Sequence, residues 1–325
     1  MAGVEKPMKF LLMPQWGAPF YPRLREKYRG ESFVEAYSPE DVQRGIADAD
    51  AVFGHITGEQ LAAARKLTWV QLTGAGAEGL FSRAPQIAGS AVTITNARGA
   101  GAPQIGEHAL ALILYFARGV NEFGTFQRQH RWDQDYGLSI VQMVWGKTAG
   151  IIGFGKSGKE TGWRCKAMGM NVIAVDKHPV DGDPVVEHVG GLHGLADLLS
   201  RSDYVVVTVP YAPQNENMIG AKELALMKRT ARLIVTSRGR IVEHNALVAA
   251  LREGRIAGAG LDTVIEEPLP ANNELWDMPN VVITPHIAGN SPELYERVYD
   301  ILEENVGRYL AGQPLINEVD KKLRY

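Results

Sequence analysis

Glycines at positions 153, 155 and 158 follow the apolar run Ala149-Gly-Ile-Ile and lead into a helix-like segment. A strand, a G-x-G-x-x-G turn and a helix in that order form a cradle for the pyrophosphate of a dinucleotide. Gly153 permits the tight turn, Gly155 lets the main chain approach the phosphates, and Gly158 lets the helix pack close to the strand, so that helix N-terminal amides face the anion. Asp176 ends the next apolar run, at about the 20-residue distance where a carboxylate accepts hydrogen bonds from the adenosine ribose and repels a 2′-phosphate. That favours NAD(H). Lys177 and His178 follow at once and supply opposing charge, which keeps NADP(H) open as the lesser alternative.

Other chemistries leave no pattern. His55, His108, His130, His178, His188, His193 and His244 are dispersed, without HExxH or paired Cys/His spacing, so no metal site is expected. Cys165 is the only cysteine, which rules out an intrachain disulfide and points to a reducing, cytoplasmic compartment. A formal charge of -3, from 34 basic and 37 acidic residues scattered along the chain, argues against nucleic-acid and anionic-membrane partners and for a small-molecule substrate. The N-terminal stretch has one short apolar run before Pro14 and no signal-peptide pattern, and no run approaches the roughly 18 apolar residues that span a bilayer.

The elements that must position these residues follow from hydrophobic periodicity. At 325 residues and 45% apolar content two domains are the default expectation. Apolar runs at 10–13, 51–53, 69–72 and 92–95, separated by helical patterns such as 59–65, predict a parallel α/β sheet. A second series at 148–153, 171–175, 204–209, 233–236, 258–261 and 281–284 predicts six strands, the number in a complete dinucleotide-binding sheet. Leu110, Ile113, Leu114 and Ala117 predict one long helix over 105–118 that bridges the two, with a polar, aromatic stretch at 121–132 after it. Leu294, Val298, Ile301 and Val306 share one side of a last helix over 292–310, whose domain the pattern leaves open.

Four ordered motifs in the second half are more specific: Thr236-Ser-Arg238-Gly-Arg-Ile-Val, Ala257-Gly-Ala-Gly-Leu-Asp262, Glu266-Glu267-Pro268-Leu-Pro and Thr284-Pro-His286-Ile-Ala-Gly289. In this order and spacing, with the glycine turn, Asn96, Glu107-His108 and Val209-Pro210, the chain resembles the D-isomer-specific 2-hydroxyacid dehydrogenase family from about residue 74 to residue 289. The resemblance implies that Arg238, Glu267 and His286 are catalytic. Arginine's planar, permanent cation suits a substrate carboxylate and polarises the adjacent carbonyl. His286 would be general acid for a keto acid and general base for a hydroxy acid. Glu267 would orient the imidazole and stabilise its protonated form.

The same resemblance assigns to the cofactor Gly153, Gly155, Lys156, Ser157, Gly158, Asp176, Val209, Pro210, Asn215, Thr236, Ser237, Arg238, Asp262, His286 and Gly289, with Asp262 at the nicotinamide carboxamide. Thr73, Gly74, Ala75 and Gly76 match the family's carboxylate-binding loop, where small residues expose backbone amides to an anion; Arg238 and His286 complete the substrate set. Departures are Glu78 for a common aspartate, Arg98 for proline, Tyr211-Ala212 for Leu-Thr, Asn215 for threonine, and Thr263-Val-Ile for a shifted Val-Phe. Arg98 could recognise a second anionic group.

The implied architecture is two Rossmann-like/flavodoxin-like parallel-sheet α/β domains with an active-site cleft between them. Residues 1–102 and 291–325 form the substrate domain, residues 103–290 the NAD-binding domain, and the family is usually a homodimer. Trp16, Phe53, His55, Trp132, Tyr136, Met143 and Trp276 are the candidates for the substrate side-chain pocket. Two other readings use the same scaffold: a phosphite-type dehydrogenase, and a non-catalytic NAD(H)-sensing protein like the corepressors that resemble this family. Glu267, where formate chemistry expects glutamine, argues against formate as donor. Replacing Asp176 by Ser should raise activity with NADPH relative to NADH; an unchanged ratio would remove Asp176 from the cofactor site.

Overall fold

The computed structural model describes residues 6–13, 21–186 and 188–325. The chain divides into two compact units, residues 1–100 with 291–325 and residues 101–290. Among the described residues the first unit holds five short strands, β1 (Lys9–Leu12), β2 (Ser32–Glu35), β3 (Ala51–Phe53), β4 (Trp69–Gln71) and β5 (Thr93–Thr95). They are all parallel in the order β2-β1-β3-β4-β5, the flavodoxin-like arrangement. Successive side chains point to opposite faces, so Leu11, Val52, Val70 and Ile94 meet Val42, Ile46, Leu80 and Ile87 on one side. Phe10, Leu12, Phe53 and Trp69 pack on the other against Tyr299, Leu302 and Val306.

Those last three residues belong to the C-terminal helix Pro292–Leu310, which therefore belongs to the first unit. Buried polar groups set its register: Asn305 Nδ2 donates to Gln71 Oε1 at 2.9 Å, the same oxygen accepts from Thr95 Oγ1 at 2.7 Å, and Trp69 Nε1 donates to Thr95 Oγ1 at 2.7 Å. Strand β2 is absent from the periodicity reading. It is an edge strand with one buried residue, Phe33, so little of it needs to be apolar.

The second unit begins with the helix Ala102–Ala117, so the long helix expected at 105–118 lies inside this unit. Gly119, at φ 64°, ends it, and two further helices follow, Val120–Arg128 and Gln134–Ile140. The sheet has eight strands where the periodicity showed six. In chain order they are β6 (Thr148–Ile152), β7 (Asn171–Val175), β8 (Val180–Asp181), β9 (His188–Gly190), β10 (Tyr204–Val207), β11 (Arg232–Val235), β12 (Gly258–Leu261) and β13 (Val281–Ile283). The two additions, β8 and β9, are two and three residues long with Val189 their one buried side chain, too short for an alternation to be read. The spatial order is β13-β12-β11-β10-β6-β7-β9-β8, with only β8 antiparallel. The order reverses between β6 and β10, and ligands bind outside the carboxyl ends of strands at such a switch point.

Candidate active site

The glycine turn sits between β6 and the helix Lys156–Ala167. Gly153 has φ 90°, and a Cβ there would fall 2.8 Å from the Val209 amide nitrogen; one on Gly158 would fall 2.1 Å from the Gly153 carbonyl oxygen. A Cβ on Gly155 would meet nothing within 4 Å. Two glycines thus allow protein packing and the third leaves bare backbone facing open space, as a pyrophosphate requires. Asp176, just past β7, accepts the Phe154 amide at 2.6 Å on Oδ2 and the His178 amide at 2.8 Å on Oδ1. Each oxygen keeps acceptor capacity for a sugar hydroxyl. These features fit a dinucleotide cofactor.

Across the sheet, Val235, Leu261 and Ile283 end β11, β12 and β13 in register, so the three following loops leave from one edge. Arg238 lies in the first, Asp262 opens the second, and His286 lies in the third. Gly239 brings the first two loops into backbone contact: a Cβ on it would lie 2.0 Å from the Val264 carbonyl carbon and 2.5 Å from the Ile265 nitrogen. Glu267 reaches from the second loop to the third. Its Oε2 is 2.7 Å from His286 Nδ1, and its Oε1 accepts the Val264 amide at 3.2 Å. The carboxylate holds Nδ1, so of the two ring nitrogens it is Nε2 that this pair does not engage. Both side chains are partly exposed. Arg238 Nη1 donates to the Ser237 carbonyl at 2.8 Å, which turns the guanidinium alongside its own loop.

Asp262 is the buried member of this edge, its side chain 1% exposed. Its backbone carbonyl accepts the His286 amide at 2.9 Å, Oδ1 accepts Ile287 N at 2.9 Å and Thr284 Oγ1 at 2.6 Å, and Oδ2 accepts Ala288 N at 3.0 Å. The carboxylate expected at the nicotinamide carboxamide is thus turned into the loop that carries His286. Thr284 Oγ1 also lies 2.9 Å from His108 Nε2; neither this contact nor the Gly239 approach was read from the sequence, although Gly239 adjoins Arg238 directly.

Thr236 and Ser237 are buried, and their hydroxyls have no protein partner. Asn215 spans its own loop, donating to the Pro210 carbonyl at 2.7 Å and accepting Ala212 N at 2.8 Å. Val209 is half-buried and Pro210 exposed.

In the first unit, Gly74 and Ala75 are exposed. Their loop is held by the Gly74 carbonyl accepting Ala97 N at 2.9 Å and the Ala75 carbonyl accepting Asn96 Nδ2 at 2.7 Å, which pins two of its carbonyls. Of the pocket candidates, Phe53 is wholly in the core, Trp132, Tyr136, Met143 and Trp276 are exposed, and Trp16 lies outside the described residues. His55 is half-buried with Nδ1 unpartnered, and burial lowers its pKa. Cys165 is buried, which pushes its thiol up to about 12, so it is no nucleophile near neutral pH. Among the described residues no group of three or more His, Cys, Asp or Glu could hold a metal, and no helix is long and apolar enough to cross a membrane.

A family profile described as "D-isomer specific 2-hydroxyacid dehydrogenase, NAD binding domain" matches residues 110–288. The chain belongs to the D-isomer-specific 2-hydroxyacid dehydrogenase family. It is 37% identical over 229 residues to a glycerate dehydrogenase of Methylorubrum extorquens, covering 69% of this chain and 70% of the relative. A glyoxylate reductase of Korarchaeum cryptofilum is 33% identical over 291 residues, 86% of each chain. Among solved structures, a D-isomer specific 2-hydroxyacid dehydrogenase from Xanthobacter autotrophicus Py2 in complex with NADPH superposes with a TM-score of 0.85, covering 98% of this chain and 100% of that one at 26% identity. Membership makes the protein an oxidoreductase of the 2-hydroxyacid type, with a nicotinamide cofactor and a small hydroxy or keto acid as substrate.

The close approach at Gly239 is directly testable. Gly239→Ala should force the loops of Arg238 and Glu267 apart, lowering kcat/KM at least about tenfold through misplacement and stability by about 1–3 kcal/mol through overpacking. Steady-state kinetics and thermal melts read both, and an alanine variant with unchanged Tm and activity would disprove the contact.

Proposed function

We propose that this protein transfers a hydride between NAD(H) and a small D-2-hydroxy acid or its 2-keto partner, with glyoxylate and hydroxypyruvate the first substrates to test. The observation that carries the reading is the 2.7 Å pair of His286 Nδ1 and Glu267 Oε2, set on aligned strand ends of the same sheet as an open glycine cradle. The bound nicotinamide supplies or receives the hydride. Arg238 binds the substrate carboxylate in a charge-assisted fork and polarises the neighbouring carbonyl. His286 gives a proton from Nε2 to the carbonyl oxygen as it becomes a hydroxyl, and takes it back in the oxidative direction. Glu267 accepts from Nδ1–H throughout, which keeps Nε2 aimed at the substrate. The 73–76 loop, with Gly74 and Ala75 exposed, offers a further carboxylate-binding group through its backbone amides.

NAD(H) is favoured over NADP(H) because the Asp176 carboxylate, fixed by two amides, repels a 2′-phosphate. The second unit exposes Trp132, Leu138, Met143 and Trp145 in one stretch of chain; we assign this apolar surface to contact with a second copy. Light scattering should therefore give the mass of a dimer, and a monomeric mass at micromolar concentration would reject it.

The decisive experiment is an NADH-oxidation screen over 2-keto acids of graded side-chain size, with NADPH and phosphite as controls. Turnover with a keto acid is expected. Phosphite-dependent NAD reduction alone would point to the phosphite reading, and cofactor binding without turnover to the sensing one. Within an active protein, His286→Ala should lower kcat about 100- to 10,000-fold; undiminished turnover would remove His286 from proton transfer.

A further inference from the structure

His108 lies on the helix Ala102–Ala117, far in sequence from the proposed catalytic pair, with its side chain 19% exposed. Its Nε2 is 2.9 Å from Thr284 Oγ1, which in turn is 2.6 Å from Asp262 Oδ1. A threonine hydroxyl carries one proton, and an ionised carboxylate can only accept. The Asp262 carboxylate accepts amides on both oxygens, so the Thr284 proton is committed to it. Towards His108 the hydroxyl oxygen can then only accept, and Nε2 must be the protonated ring nitrogen. The chain runs one way, from His108 Nε2–H to Thr284 Oγ1–H to Asp262 Oδ1. The direct separation of His108 Nε2 and Asp262 Oδ1, 3.7 Å, is too long for a hydrogen bond, so His108 acts through the hydroxyl.

The middle and last members of this chain bear on the proton-transferring imidazole. Thr284 precedes His286 by two residues, and Asp262 accepts the amides of residues 286, 287 and 288. His286 itself stands at φ 54°, a conformation that an L-residue other than glycine holds only when its surroundings impose it. We propose that His108 is a positioning residue for the reaction: by locking the Thr284 rotor it fixes the Asp262 carboxylate, and with it the loop that presents His286. This rests on the reading of His286 as the proton donor.

The test compares His108→Leu, His108→Gln, Thr284→Val and the His108→Leu/Thr284→Val double variant in keto-acid reduction. NADH affinity and thermal melts are measured alongside. Removing the donor should lower kcat about 10- to 100-fold, the scale of a small misplacement of a reacting group, with NADH affinity held within about twofold, so that the loss falls on the chemical step. His108→Gln, whose amide can donate from a similar reach, should recover most of the loss. Thr284→Val should resemble His108→Leu, and the double variant should be no worse than the poorer single one, because both cut the same chain. Wild-type kcat in His108→Leu, a glutamine variant as impaired as the leucine one, or additive losses in the double variant would each overturn the role of His108. If His108→Leu fails to fold, the glutamine and valine variants decide by the same comparison. Absence of turnover in the unaltered protein would overturn the functional reading and this role together, whereas an active parent with an indifferent His108→Leu overturns this role alone.

Discussion

Three consecutive backbone amides, those of His286, Ile287 and Ala288, converge on one aspartate. Asp262 accepts the first with its main-chain carbonyl and the other two with its carboxylate. The turn that results holds His286 at φ 54°, where an L-residue costs about 1–2 kcal/mol more than in its preferred region. A loop without that anchor would relax, and the imidazole would lose its fixed relation to Glu267. Asp262 is itself placed by β12, whose last residue pairs with those of β11 and β13, so the alignment of three parallel strands is transmitted to a single ring nitrogen.

Orientation, more than stability, is what the His286–Glu267 pair contributes. Both side chains are over a third exposed, and exposed ion pairs add little to folding free energy. The bond instead selects which imidazole nitrogen faces outward. The buried side of the edge does the opposite work: Asp262, nearly inaccessible, has its carboxylate satisfied by two amides and a hydroxyl, as a buried charge requires. A partly exposed pair is thus mounted on a buried carboxylate.

Legibility in the sequence followed burial and locality. Central strands such as β6 and β10 are fully apolar over most of their length and show plainly. The edge strands β2 and β8, and the three-residue β9 beside β8, bury one residue or none and leave no pattern. The glycine turn is local, and its order of strand, turn and helix can be read directly. The Trp69–Thr95–Gln71–Asn305 network joins residues up to 236 positions apart, and nothing in the local composition of any one segment announces it.

The sequence by itself determined the family, the α/β class and the dinucleotide turn, because each rests on residue types at short, ordered spacings, and it singled out Arg238, Glu267 and His286 as candidates in the same way. It determined too that no disulfide can form within the chain, since Cys165 stands alone. Only the tertiary structure decided that the last helix returns to the first unit, that Gly239 lets two loops touch, and that Asp262 faces inward to hold the loop of His286. These depend on which strand ends become neighbours, and neighbours in a parallel sheet are separated along the chain by whole crossover helices.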